Sequence, residues 1–418
     1  MSPQQESTLT SAKPDTSVRP RQLAYVLMSV GTSALLLLYV VIPARGLEPG
    51  EYSRFASLFS VVVLLGVIFT AVQTYVAGSL IRAGADGRAA ALWAIRTRVA
   101  RWCVILAGAL ALAAPILSSA LRTSLFSVLL VGLLSTLTLV WASLLGVLQG
   151  DQRFVALGAV NATQAVLRLL AVAAVISFQS VDLILAATVV SMLPALALVV
   201  TVAGPFESAG RGTELDGIFA LPRSLPAFVV AFVVGFPTVG DVVVARVSLT
   251  AEAAGDIAVI SIVGRVTVFF AAMIAVVAYP RFAKAEHDPN GHVLLLRVTG
   301  VIAAVAIPIT AVAIWQRALT LTLLSGDARP AALSLLPWYL VASLLFALAI
   351  PGCYYQLART HRRRGTAILL PPVIAMIAFG LVVDDPATFV MGLVAASALL
   401  AVTVAVAVAV TVVGGRQP

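Results

Sequence analysis

Two arginines stand inside otherwise apolar stretches of the chain, Arg168 and Arg265. A charged side chain at the centre of a hydrocarbon layer costs about 2.5–3.5 kcal/mol on insertion scales, so each should face a cavity or a partner. Asn161, Gln164 and Arg168 fall at i, i+3 and i+7, one face of a helix. Ser261 precedes Arg265 by four residues and shares its face, and Gln73 is a further polar candidate. Asp241, the one acid deep inside such a stretch rather than at its edge, follows Pro237 by four residues and is preceded by Gly235 and Gly240. Two roles are open to it: holding a coupling cation where a helix is broken, or neutralising Arg168 or Arg265 as a structural pair. Two arginines against one acid favour an anion, and the planar guanidinium fork suits phosphate.

The elements that must position these groups follow from composition. Of 418 residues, 61% are hydrophobic and 11% charged, with a mean hydropathy of +1.06. Soluble domains run near half apolar and a quarter charged, and disordered chains lie further still in the other direction. The chain therefore reads as an all-α polytopic membrane protein. Apolar segments lie near 22–44, 53–78, 99–117, 123–148, 155–176, 182–203, 222–245, 255–278, 294–315, 331–353, 364–382 and 387–413. Each has the roughly twenty residues a helix needs to cross about 30 Å of hydrocarbon. Segment 22–44 is too long for a signal-peptide core and lacks a small-residue cleavage site, so it reads as an uncleaved first span.

The net charge of +9 would suggest nucleic acid in a soluble domain, but the placement of the charges argues for a membrane topology. With the N-terminus cytoplasmic, only Arg45, Arg54, Arg122, Arg246, Arg317 and Arg329 fall on the far side; the other basic residues outside the spans lie on the cytoplasmic side. That bias follows the positive-inside rule, puts both termini in the cytoplasm and removes nucleic acid as a partner. Basic residues other than Lys13 and Lys284 are arginines, a compositional sign of a bacterial source. The expected organisation is a flexible tail 1–21, a six-helix bundle 22–203, a linker 204–221, a second bundle 222–413 and a tail 414–418. The connections around 79–98 and 204–221 are too short to bury a core of their own.

Two halves are also suggested by a weak internal repeat. Leu47-Glu-Pro-Gly-Glu-Tyr-Ser-Arg-Phe-Ala56 after the first span is echoed by Leu249-Thr-Ala-Glu-Ala-Ala-Gly-Asp-Ile-Ala258 after the seventh, and the same offset takes Gly150 onto Gly352. Paired halves are the common build of secondary transporters, with the site between them. Pro43, Pro115, Pro194, Pro237, Pro308, Pro351 and the pair Pro371–Pro372 lie in spans, as hinges or as static curvature. Cys103 and Cys353 offer no disulfide framework, and His287, His292 and His361 have no metal-ligand spacing. Neither a cofactor nor a metal is expected.

Several short motifs point to a family. Gly46-Leu-Glu-Pro-Gly-Glu-Tyr-Ser-Arg-Phe-Ala56 opens the second span, and Gly146-Val-Leu-Gln-Gly150 with Arg153-Phe154 follows the fourth. Gly240-Asp-Val-Val-Val-Ala-Arg246, Leu249 to Gly255, and Tyr279-Pro-Arg-Phe282 complete the set. In these the chain resembles the polysaccharide-export (Wzx-type) flippases of the multidrug/oligosaccharidyl-lipid/polysaccharide (MOP) transporter superfamily. The resemblance implies two six-helix bundles around a central cavity in a bacterial inner membrane. It also implies transfer of a polyprenyl-diphosphate-linked glycan to the outer leaflet, with membrane lipids and polysaccharide assembly enzymes as partners.

On that reading Arg168 and Arg265 would hold the diphosphate, with Asn161, Gln164 and Gln73 nearby. With the inside negative, each exported negative charge gains about 2.3 kcal/mol per 100 mV. A cation-coupled multidrug exporter of the same superfamily is the alternative, with Asp241 as its acid. An enzyme built on Glu48 and Glu51 is disfavoured, because their short loop reads as a helix-starting turn. The arginines Arg362, Arg363 and Arg364 read as a topology signal or as a contact for anionic lipid.

Overall fold

In hydrocarbon no water is available to the backbone, so a spanning chain must close its hydrogen bonds within each segment. The computed structural model describes residues 18–204, 221–284, 291–358 and 362–414, and these are helical between short turns. The helices are α1 (Val18–Gly46), α2 (Pro49–Ala120), α3 (Leu125–Gly150), α4 (Phe154–Val175), α5 (Val181–Ala203), α6 (Leu221–Ser248) and α7 (Ala251–Lys284). They continue as α8 (Gly291–Trp315), α9 (Arg317–Ser325), α10 (Pro330–Leu357), α11 (Arg362–Ala367), α12 (Leu370–Val382) and α13 (Pro386–Gly414). Eleven segments among the described residues are long and apolar enough to cross a membrane; the expected first span corresponds only to a shorter apolar stretch of α1, Gly31–Gly46. Most of the expected linker and tails, with His287 and His361, lie outside the described residues.

The boundaries follow local chemistry. Glu48 is extended and Pro49 takes the first turn of α2, where a missing N–H and a fixed φ do no harm. Ser124 accepts the Ser127 N–H at 3.0 Å to start α3. Asp385 does the same for α13, accepting the Thr388 N–H at 2.7 Å and its hydroxyl at 2.6 Å. Those two bonds, the hydroxyl's first, hold the exposed Asp385 carboxyl below the usual carboxylate range.

Four expectations need correction. Residues 18–21 begin α1 rather than belonging to a tail. The connection 79–98 is helical, as an Ala-rich, proline-free stretch allows. The 72 residues of α2 would run about 110 Å as a straight rod. Yet Arg54 Nη2 lies 3.5 Å from Thr123 Oγ1, and Arg98 donates to the Tyr75 hydroxyl. The helix therefore doubles back between its two spans, Pro49–Ile81 and Gly87–Ala120. The segment 364–382 is broken between α11 and α12, because Pro371 and Pro372 cannot donate to the carbonyls of Ala367 and Ile368. Between 315 and 331, expected as a plain connection, stands the short helix α9.

Two halves emerge from the packing. In the first, α1 lies on α4, α4 and α3 on α5, and α2 on α3. In the second, α10 is central, against α7, α8 and α13, while α12 joins α6 to α13. Contact between halves runs chiefly from α2 to α6 and α7. The Gly146-to-Gly150 motif explains the tight α2–α3 pair: a Cβ on Gly146 would sit 2.6 Å from the Gln73 carbonyl and one on Gly150 3.1 Å from that of Ala77. Small residues four apart let two helix backbones approach this closely.

Candidate functional site

Within the second half, α6, α7, α10, α12 and α13 line a small, partly open cleft whose polar lining includes Asp241, Arg265, Tyr339, Ser343 and Ser397. Two local features build it. Pro237 has no N–H for the Val233 carbonyl one turn back, which loosens α6 just before Asp241. Gly264 lets α7 press on α10: a Cβ there would stand 2.3 Å from Ser343 Oγ and 2.6 Å from a Tyr339 ring carbon. The same close approach carries Tyr339 to Asp241.

Asp241 is 2% exposed. Its Oδ2 accepts the Tyr339 hydroxyl proton, while Oδ1 has no partner. Arg265 lies within electrostatic range of the carboxylate, yet no ion pair within 4.0 Å joins them; such pairs among the described residues are Arg54–Glu51, Arg88–Asp151 and Arg329–Asp256. Instead Arg265 Nη2 donates to Ser60 Oγ of α2 at 3.1 Å, reaching into the other half, and its Nε is unpartnered. A buried guanidinium at a junction, with a free donor and no carboxylate in direct contact, can take up an anion in competition with the more distant Asp241.

Arg168 occupies a different place. It is buried inside the first half, with its guanidinium carbon 5.4 Å from the centre of the Tyr39 ring and Nη2 3.7 Å from Met192 Sδ. Gln164 Nε2 meets the same sulfur at 3.2 Å, so the expected stripe does bring these two side chains together. Asn161 is half-buried and forms no side-chain hydrogen bond among the described residues. Gln73 is elsewhere, donating to Gln149 Oε1 at 2.9 Å near the end of α3. Ser261 turns back on its own helix, bonding the Ala258 carbonyl at 2.7 Å.

The two arginines thus have different partners, connected through a pair of aromatic rings: the Tyr39 ring beside Arg168 lies 5.1 Å from that of Phe59, which precedes Ser60, the partner of Arg265. Tyr339 and Ser60, the hydrogen-bond partners of Asp241 and Arg265, are the side chains that the polar count passed over. Tyr339 and Ser343 are four apart on one face, as are Ser53, Ser57 and Ser60 at i, i+4 and i+7, so the spacing was available. Among the described residues no group of three or more His, Cys, Asp or Glu could hold a metal.

This architecture, two helical bundles meeting along α2, α6 and α7, is the fold of transporters of the MOP superfamily. An inward-facing multidrug resistance MATE family transporter of that superfamily superposes with a TM-score of 0.69 at 13% identity, over 92% of this chain and 94% of that one. The lipid II flippase MurJ in its inward closed conformation gives 0.67 at 12% identity, over 93% and 87%. An outward-facing MATE transporter gives 0.59 at 11% identity, over 95% and 97%. No family model matches the sequence, and no curated protein does.

Proposed function

We propose that the protein is a flippase that carries a polyprenyl-diphosphate-linked oligosaccharide from the inner to the outer leaflet of a bacterial inner membrane, with both termini cytoplasmic. The glycan would feed cell-surface polysaccharide assembly, whose enzymes would be its partners. One observation carries the reading: Arg265 and Arg168 each have an unpartnered Nε and no carboxylate within 4.0 Å, but it is Arg265 that reaches across to the other half, at Ser60. Arg265 is the contact for the diphosphate. Arg168, with Gln164 and Asn161, adds positive potential from the first half, and Gln73 lies closer to the end of the path. Similarity in fold to a lipid II flippase supports a lipid substrate.

A second reading rests on Asp241, whose unpartnered Oδ1 suits a coupling cation and whose fold relatives include multidrug transporters. Transport in proteoliposomes separates the two. Movement of a fluorescent polyprenyl-diphosphate sugar by the wild type, lost in Arg265→Ala with the fold retained, supports the flippase. No movement of that lipid, together with uptake of an organic cation that Asp241→Asn abolishes, would replace it with the exporter.

A further inference from the structure

At the end of the molecule that carries the turns 121–124 and 249–250, the halves are joined by a reciprocal exchange of hydrogen bonds. Arg246, at the end of α6, is 4% exposed and uses all three of its nitrogens on the first half. Nε donates to the Leu121 carbonyl at 3.0 Å, Nη2 to that of Arg122 at 3.2 Å, and Nη1 to Ser53 Oγ at 2.7 Å. Arg122 returns the contact, its Nη1 donating to the Leu249 carbonyl at 3.3 Å and Nη2 to that of Val247 at 3.4 Å. Each guanidinium therefore covers carbonyls at the C-terminal end of a helix in the opposite half. The last carbonyls of a helix have no partner within it and carry partial negative charge, so a cation is well placed there.

Three details make this exchange more than incidental packing. Arg122 has φ +49°, a left-handed position just past a helix end where glycine is the usual residue. A side chain that strains the backbone there is retained where its head group makes up the difference. Next, no carboxylate takes part: neither arginine has an ion pair within 4.0 Å among the described residues. Arg54 and Arg122 place like charge near Arg246, and Glu51 offsets part of it. The contact is thus made of carbonyls and one hydroxyl that water can satisfy when it opens. Finally, the backbones touch beside it, since a Cβ on Gly255 would lie 2.4 Å from the Pro49 carbonyl, so this end is shut.

We propose that Arg122 and Arg246 form a releasable clasp, each guanidinium capping helix carbonyls of the opposite half, that holds this end closed and opens when the halves exchange access. The inference rests on the transporter reading but not on its substrate, so its test uses conformation rather than transport. In a background lacking Cys103 and Cys353, spin labels flanking the clasp report the separation of the halves in lipid nanodiscs. As a second readout, the Gly50→Cys/Ala251→Cys pair, whose Cβ atoms would be 3.6 Å apart, reports closure by disulfide yield. Arg246→Ala and Arg122→Gly are each expected to raise the open population about tenfold or more, the equivalent of one net charge-assisted hydrogen bond, and to slow cross-linking in step. Arg122→Gly also relieves the left-handed strain, so that variant should remain folded. Unchanged distances and cross-linking in both folded variants would overturn the proposal. Loss of the fold in both would do so too, because the contact would then be permanent cement.

Discussion

Arg168 and Arg265 are equally buried, each 9% exposed, yet they live in different mechanical settings. Every contact of Arg168 comes from its own half: the Tyr39 ring of α1 and the Met192 sulfur of α5. Arg265 instead reaches from α7 to Ser60 of α2 and shares a cleft with Asp241 and Tyr339. A rigid half carries Arg168 along without changing its surroundings, whereas any relative movement of the halves must rearrange Arg265. Burial and charge mark both residues; position relative to the boundary between the halves separates them.

The largest expected effect breaks or keeps that distinction directly. Arg265→Ala should lower flipping of a diphosphate-linked lipid in proteoliposomes by about tenfold to a hundredfold, the range for a lost charge-assisted contact. Arg168→Ala should lower it less. Equal losses would mean that the two arginines act as one site despite their different partners.

Stability should show the converse. Tyr39→Ala removes a fully buried ring and the face under Arg168, at a cost of about 3 kcal/mol or more, read as a fall in the melting temperature in detergent. Arg168→Met, which removes the buried charge instead of its support, should be far milder and should partly rescue Tyr39→Ala. Additive effects would show that the ring and the guanidinium are not coupled. A smaller change belongs to the other half: Gly264→Ala pushes α7 from α10 and should destabilise by about 1–3 kcal/mol. It should also disturb the Tyr339–Asp241 bond, so any cation dependence of transport would change with it.

The smallest expected effect is at Asp385, far from both arginines. Its carboxyl is held low by the Thr388 hydroxyl and N–H. That contribution is present above the ordinary carboxylate range and is lost as pH falls through the lowered folded value. Asp385→Ala should slightly lower the melting temperature at neutral pH, and the gap to wild type should close as the pH approaches the lowered value. A gap independent of pH would show that the cap does not depend on the charge of Asp385.

How much of this was legible beforehand depends on the range of the interaction. The spans could be read because the bilayer forces one helix per apolar run of twenty, and Gln164 and Arg168 could be paired because helical period alone makes them neighbours. That Arg168 would settle over Tyr39, while Arg265 would reach Ser60, could not be read, since nothing in the period of one helix names the helix beside it. Tyr339 and Ser60 were hidden for another reason: a tyrosine or serine in an apolar span stands out far less than an arginine. The charged residues of 79–98 read as a connection between two spans, yet the alanine-rich sequence carries the helix on through them. The Gly146 and Gly150 motif, quoted first for its resemblance to a family, turned out to mark where α3 meets the α2 backbone.

The most direct test of where an anion is met uses inorganic diphosphate, the soluble part of the proposed headgroup, and the melting temperature of the purified protein. A ligand that binds the folded state alone raises it in proportion to occupancy. Diphosphate should stabilise the wild type and Arg168→Ala and leave Arg265→Ala unmoved. Stabilisation that survives in Arg265→Ala but disappears in Arg168→Ala would place the anion inside the first half and contradict the account.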